Sequence, residues 1–137
     1  MATRSQARES VIGLLYAYGS GNDGISKFAD EILAENKIKN SQKDFAMGLL
    51  NGVLENLSEI DSIITKQLDS WDFNKIGDTE KAILRLGVFE IKKTSLDSAV
   101  VINEAIELAK SFGNDNSAKF INGVLDAISK IANKEQK

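Results

Sequence analysis

The sequence predicts an all-α fold, and three observations predict it. The 137-residue chain contains no proline, so nothing removes a backbone donor from a helix interior. Apolar residues recur along seven segments at the i, i+3, i+4, i+7 spacing that gathers them on one helix face. No stretch alternates apolar and polar residues as a half-buried strand would.

The first segment runs from about Arg4 to Tyr18, with Val11, Leu14, Leu15 and Tyr18 on one face, and the glycine-rich SGNDG ends it. The second spans roughly Ile25 to Glu35 and turns Phe28, Ile32 and Leu33 inward. Asn40 and Ser41 offer caps to the third, and Asp44 follows Ser41 as in a capping box. Phe45, Leu49, Val53 and Leu57 form its stripe, while Gly48 and Gly52 share an edge that suits close helix packing. Ser58 and Asp61 repeat the capping pattern before a shorter fourth helix bearing Ile60, Ile63, Ile64 and Leu68. Trp71 and Phe73 sit in a connector that Gly77 closes.

The fifth helix, about Asp78 to Lys93, is apolar round most of its circumference, which predicts a central, buried position. Lys81, Arg85 and Lys92 form its one clear polar strip. The sixth runs from about Asp97 to Phe112 and the seventh from about Asn116 to Ala132. In the seventh, Ile121, Val124, Leu125 and Ile128 repeat the helical spacing before a polar tail, Asn133 to Lys137. With no internal repeat and no linker, residues 1–137 read as one domain.

Composition removes several classes of function. The chain has neither cysteine nor histidine, so disulfides, thiol nucleophiles, zinc fingers and the usual neutral-pH base are excluded. No glycine-rich phosphate loop is present, and Glu104 with Glu107 reads as a solvated helix face. A binding protein without catalysis, cofactor or metal is expected. No apolar run approaches the ~18 residues of a membrane span, and no signal-peptide core follows the basic N-terminus. The cytoplasm is the expected location. At a net charge of −3, any grip on nucleic acid must come from a local patch, with help.

Three places could supply such chemistry. Arg4 and Arg8 lie four residues apart and project from one face of the first helix. They either rest solvated at the rim or reach a phosphate, which guanidinium groups bind bidentately. The junction KSFGNDNSAKF joins the last two helices and combines Phe112, Phe120, Lys110 and Lys119 with capping residues that include Asn116 and Ser117. Its rings either finish the core or form a platform for unstacked bases, which favours RNA over duplex DNA. Third, Glu80 and Glu90 interrupt the apolar arcs of the fifth helix. Glu80 either stabilises the helix start or awaits a basic partner protein.

At these residues the chain resembles a known family. The strings NEAIELAKSFG and KFINGVLD are similar to the C-terminal signature of the NusB family. TEKAILRLGVFEI and RSQARESVIGLLYAY resemble that family's other two blocks, in the same order. The resemblance implies about seven helices in two packed subdomains. It also implies a transcription antitermination factor that binds boxA-type single-stranded RNA of ribosomal-RNA leaders, with NusE, a ribosomal small-subunit protein, as partner. An antitermination complex with RNA polymerase follows from it, and family members occur as monomers or homodimers. By resemblance, Arg4, Arg8, Phe112, Asn116, Ser117, Lys119 and Phe120 meet RNA, with Phe120 stacking. Tyr16, Glu80 and Arg85 fall in the regions that meet the partner protein.

Two departures bear on this. The family's N-terminal motif is often richer in arginine than TRSQAR, which implies weak RNA binding without the partner. Asn116 stands where some relatives carry a carboxylate, which removes a like charge from phosphate. Two other readings remain: a helical protein-interaction module without direct RNA contact, and a stand-alone relative of the RNA-binding domain of ribosomal-RNA cytosine methyltransferases.

Overall fold

The computed structural model describes residues 2–68, 72–113 and 115–135, with residues 134 and 135 as backbone only. Among them are seven α-helices and no strand: α1 (Arg4–Gly19), α2 (Ala29–Glu35), α3 (Ser41–Glu55), α4 (Leu57–Lys66), α5 (Asp78–Lys93), α6 (Ser98–Phe112) and α7 (Asp115–Glu135). Short 3-10 turns at Ile25–Phe28 and Phe73–Lys75 lead into α2 and α5. Trp71 of the predicted connector, Asn114 of the junction and the end of the polar tail lie outside the described residues.

The nearly all-apolar circumference of α5 finds its reason in its neighbours. This helix packs against α1, α3, α4, α6 and α7, and every residue from Ala82 to Val88 is buried. One group of helices forms around α1, which holds α2 and α3, and another around the α6–α7 pair; α5 touches both. These are the two packed subdomains, and a single hydrophobic core runs through them.

Two glycines set how closely helices approach α5. A Cβ on Gly52 of α3 would stand 2.2 Å from the Phe89 ring, and one on Gly87 would stand 2.8 Å from a Leu125 methyl of α7. The close approach predicted for Gly48 and Gly52 therefore occurs at Gly52, while a Cβ at Gly48 would meet nothing within 4 Å.

The helix ends depart from the sequence reading in informative ways. A capping box forms at α1, where Thr3 Oγ1 accepts from the Gln6 backbone at 3.1 Å and Gln6 Oε1 accepts from the Thr3 backbone at 2.8 Å. Neither predicted box forms. Asn40 precedes α3 at φ 58° with no side-chain cap, and α4 begins after Asn56, which leaves Asp61 inside the helix to accept from Arg85. Phe28, expected inside, is 52% exposed. It closes a 3-10 turn of three residues per turn, and that register carries it off the α2 stripe.

Backbone bonds close the end of α2. Ile38 N–H donates to Leu33 O at 2.8 Å and Lys37 N–H to Ala34 O at 3.0 Å, the paired bonds of a Schellman motif. Its left-handed position usually holds glycine. Here Lys37 occupies it, at φ 62°.

Candidate nucleic-acid interface

Helices α1 and α5 run antiparallel. Arg8 near the start of α1 meets Glu90 near the end of α5, and Ser20 just past α1 donates to Asp78 at the start of α5, at 3.0 Å. This arrangement decides what the N-terminal arginines can do.

Arg8 is not a solvated arginine. Its Nε and Nη2 donate to the two Glu90 oxygens at 2.9 and 2.8 Å, both side chains are about 95% buried, and Nη1 lies 4.0 Å from Glu104. Burial pulls the Arg8 pKa down, but the Glu90 hydrogen bond and the Glu90 and Glu104 charges outweigh it, and the net direction is upward. The assignment of Arg8 to phosphate is therefore corrected: a guanidinium sealed in a bidentate pair does not face a ligand. Arg4 remains outside. Its guanidinium rests 4.6 Å from the centre of the Phe45 ring, while Arg8 sits 5.1 Å from that ring. Phe45 thus bridges a buried cation and an exposed one.

The α6–α7 junction lies at the opposite end of α5. Ser117 Oγ donates to Glu80 Oε1 at 2.6 Å and is buried, so this hydroxyl anchors α7 to the first turn of α5 instead of facing solvent. That corrects the placing of Ser117 on the RNA side. The Glu80 carboxylate, in the first turn of α5 where the helix dipole favours an anion, is occupied from within. Around this anchor, Asn116 and Lys119 are exposed, Phe112 is 45% exposed, and Phe120 is half-buried against the core. The junction's two rings divide the readings left open by the sequence: Phe112 stands in solvent, and Phe120 shows one part to the core and another outward.

The predicted site residues therefore form two clusters. Glu80 and Glu90, which mark them on α5, are ten residues apart, or about 15 Å at 1.5 Å per residue. Stacked nucleotides at ~3.4 Å each would span that in four or five steps.

Of the residues expected to meet a partner protein, Tyr16 is 46% exposed. Arg85 is corrected: it is buried, and Nε and Nη2 donate to Asp61 at 2.9 and 3.0 Å, which joins α5 to α4. Its Nη1 has no hydrogen-bond partner and points toward Gly19, 3.5 Å from where a Cβ there would stand. The polar strip read from Lys81, Arg85 and Lys92 thus contains one inward-facing cation.

Sequence reasoning missed the roles of Phe45, Asp61 and Glu104. It marked Glu90 as out of place yet named no partner for it. The usable signal was the coincidence of two anomalies, a carboxylate on an apolar arc of one helix and an arginine continuing the apolar stripe of another. Among the described residues no three carboxylates converge on a metal-sized site, and none of their helices is long and apolar enough to cross a membrane.

The NusB family profile matches residues 5–130. The chain belongs to the NusB family. It is 60% identical over 138 residues to the transcription antitermination protein NusB of a Nitratiruptor species, covering 100% of this chain and 99% of that one. The solved T. maritima NusB is 34% identical with a TM-score of 0.87, over 94% of this chain and 92% of its own. A structure of antitermination factors NusB and NusE with double-stranded RNA is similar at 31% identity and a TM-score of 0.84, over 93% of this chain and 96% of that one. The NusB fold expected from the four sequence strings is the fold observed.

Proposed function

We propose that this chain is a cytoplasmic transcription antitermination factor that binds boxA-type single-stranded RNA of ribosomal-RNA leaders together with NusE, within a complex that includes RNA polymerase. The whole of 1–137 serves as one RNA-binding domain, and no catalytic role is assigned to it. Pairing of two copies as a homodimer is a further state to be read by mass.

One observation carries this reading. At the α6–α7 junction, exposed Phe112 ends α6, and Asn116, Lys119 and half-buried Phe120 follow at i, i+3 and i+4 on one face of α7. An aromatic pair with a cation and an amide suits splayed bases. The family supports it, since NusB occurs with NusE and RNA in a similar solved complex. That RNA is double-stranded. A single strand is favoured for this chain because a ring stacks only on a base freed from its partner.

The test is binding of a labelled boxA-type RNA, single-stranded and as a duplex, to wild type, Phe120→Ala and Arg4→Ala. Loss of one base stack costs about 1–3 kcal/mol, so Phe120→Ala weakens the single strand several-fold to about a hundredfold and the duplex less. Arg4→Ala flattens the salt dependence on the single strand by about 0.7 units of slope, the value for one phosphate contact. Unchanged binding by both variants would overturn the reading. A specific observation favours the rival, a protein-interaction module: Arg8 and Ser117 are both engaged inside the fold. Retained NusE binding with no RNA binding at any salt would select it.

A further inference from the structure

Between α1 and the end of α2 runs a groove of about 900 Å³ that no part of the sequence reading used. Its α1 wall extends from Gln6 to Ala17, with Ala2 before the helix at one end, and spans about 16 Å at helical rise. Ile32 and Ile38 line its other side, with Lys37 and Lys39 beyond them, and Phe112 of the α6–α7 junction also borders it. We infer that this groove is the track on which a single RNA strand passes between the Arg4 end of α1 and the junction, with Lys37 and Lys39 as phosphate contacts. The inference rests on the RNA reading above and adds a path and two cations to it.

Five observations point to this occupant. The two clusters of proposed RNA contacts stand about 15 Å apart along α5, and the groove runs a comparable length along α1, the helix antiparallel to it. Phe112 belongs to both the junction and the groove, so the surfaces are continuous. Lys37 and Lys39 are exposed and make no ion pair among the described residues, whereas nearby Lys43 pairs with Asp30 at 3.3 Å. The lining carries two lysines against one carboxylate, Glu9, on a chain whose net charge is −3. Finally, Lys37 holds a left-handed conformation that favours glycine, and strain of this kind concentrates where side chains serve a ligand.

The variants are mild to the fold. Lys37→Gly suits its φ of 62°. A Cβ at Gly13, which lines the groove, meets nothing within 4 Å, so Gly13→Leu fills the groove without displacing the core. The experiment is fluorescence anisotropy of a labelled boxA-type single strand with the full chain over a potassium chloride series, with thermal melts alongside. Lys37→Gly/Lys39→Ser flattens the slope of log affinity against log salt by about 1.4, at ~0.7 per phosphate contact on a single strand. Gly13→Leu weakens binding at least about fivefold, the lower end for one lost base contact, with no fall in melting temperature. Both effects are required. If either is missing while Phe120→Ala or Arg4→Ala still weakens binding, the strand takes another route and this proposal is overturned, with the RNA reading intact. If none of the four proteins differs from wild type, the RNA reading falls and the groove assignment with it.

Discussion

At the scale of single residues, the decisive side chain is Arg8. A charge taken out of water is stable only with a partner of good geometry, and Glu90 supplies both acceptor oxygens. Arg8→Met should therefore cost about 3–5 kcal/mol in chemical denaturation, because it strands a buried carboxylate. Arg8→Met/Glu90→Leu should recover most of that, since an apolar pair of similar volume is often neutral. A double variant no more stable than the single would refute the pairing. Since the Arg8 pKa is raised, its protonation keeps the pair intact below the ordinary arginine range, and its contribution is lost only as pH climbs past the raised value. Arg4 and Arg8 looked equivalent in sequence because spacing reports a shared face, not depth. Depth was set by Glu90, 82 residues away, and no local pattern contains that distance.

The helices themselves were more legible. The bounds of α5 and the end of α6 follow from apolar periodicity, and the start of α6 follows Asp97, whose side chain accepts from Ala99 N–H at 3.1 Å. What failed were caps chosen by residue type alone: Asp61 had a second suitor in Arg85, and a side chain makes whichever bond the tertiary fold brings near. Helix approach offers a sharper trial. Gly52→Ala should destabilise by about 1–3 kcal/mol, because its methyl enters the Phe89 ring and α3 must back away. Gly48→Ala, one turn earlier and open to solvent, should stabilise by about 0.5–1 kcal/mol through helix propensity. Equal effects from the two in urea melts would show that α3 does not seat on Phe89 as described.

For the molecule as a whole, charge frames the behaviour. An acidic chain with only local cations gains from a basic partner, which adds positive field and holds the strand. We expect NusE to raise RNA affinity about 5- to 150-fold, and RNA to raise NusE affinity by the same factor, as linkage demands; titrating each ligand in the presence of the other checks both arms. Identical RNA affinity with and without NusE across a salt series would contradict it. The family and fold were readable from contiguous strings, while the split of the surface into two ends, and the groove between them, depend on α1 reversing direction against α5. The two shielded arginine–carboxylate clamps, Arg8–Glu90 and Arg85–Asp61, have a practical consequence. Mobile ions screen exposed contacts strongly at about 1 M, where the Debye length is ~3 Å, yet reach enclosed ones much less. A concentrated salt rinse should thus strip bound nucleic acid from this protein while its circular dichroism spectrum and melting point stay where they were.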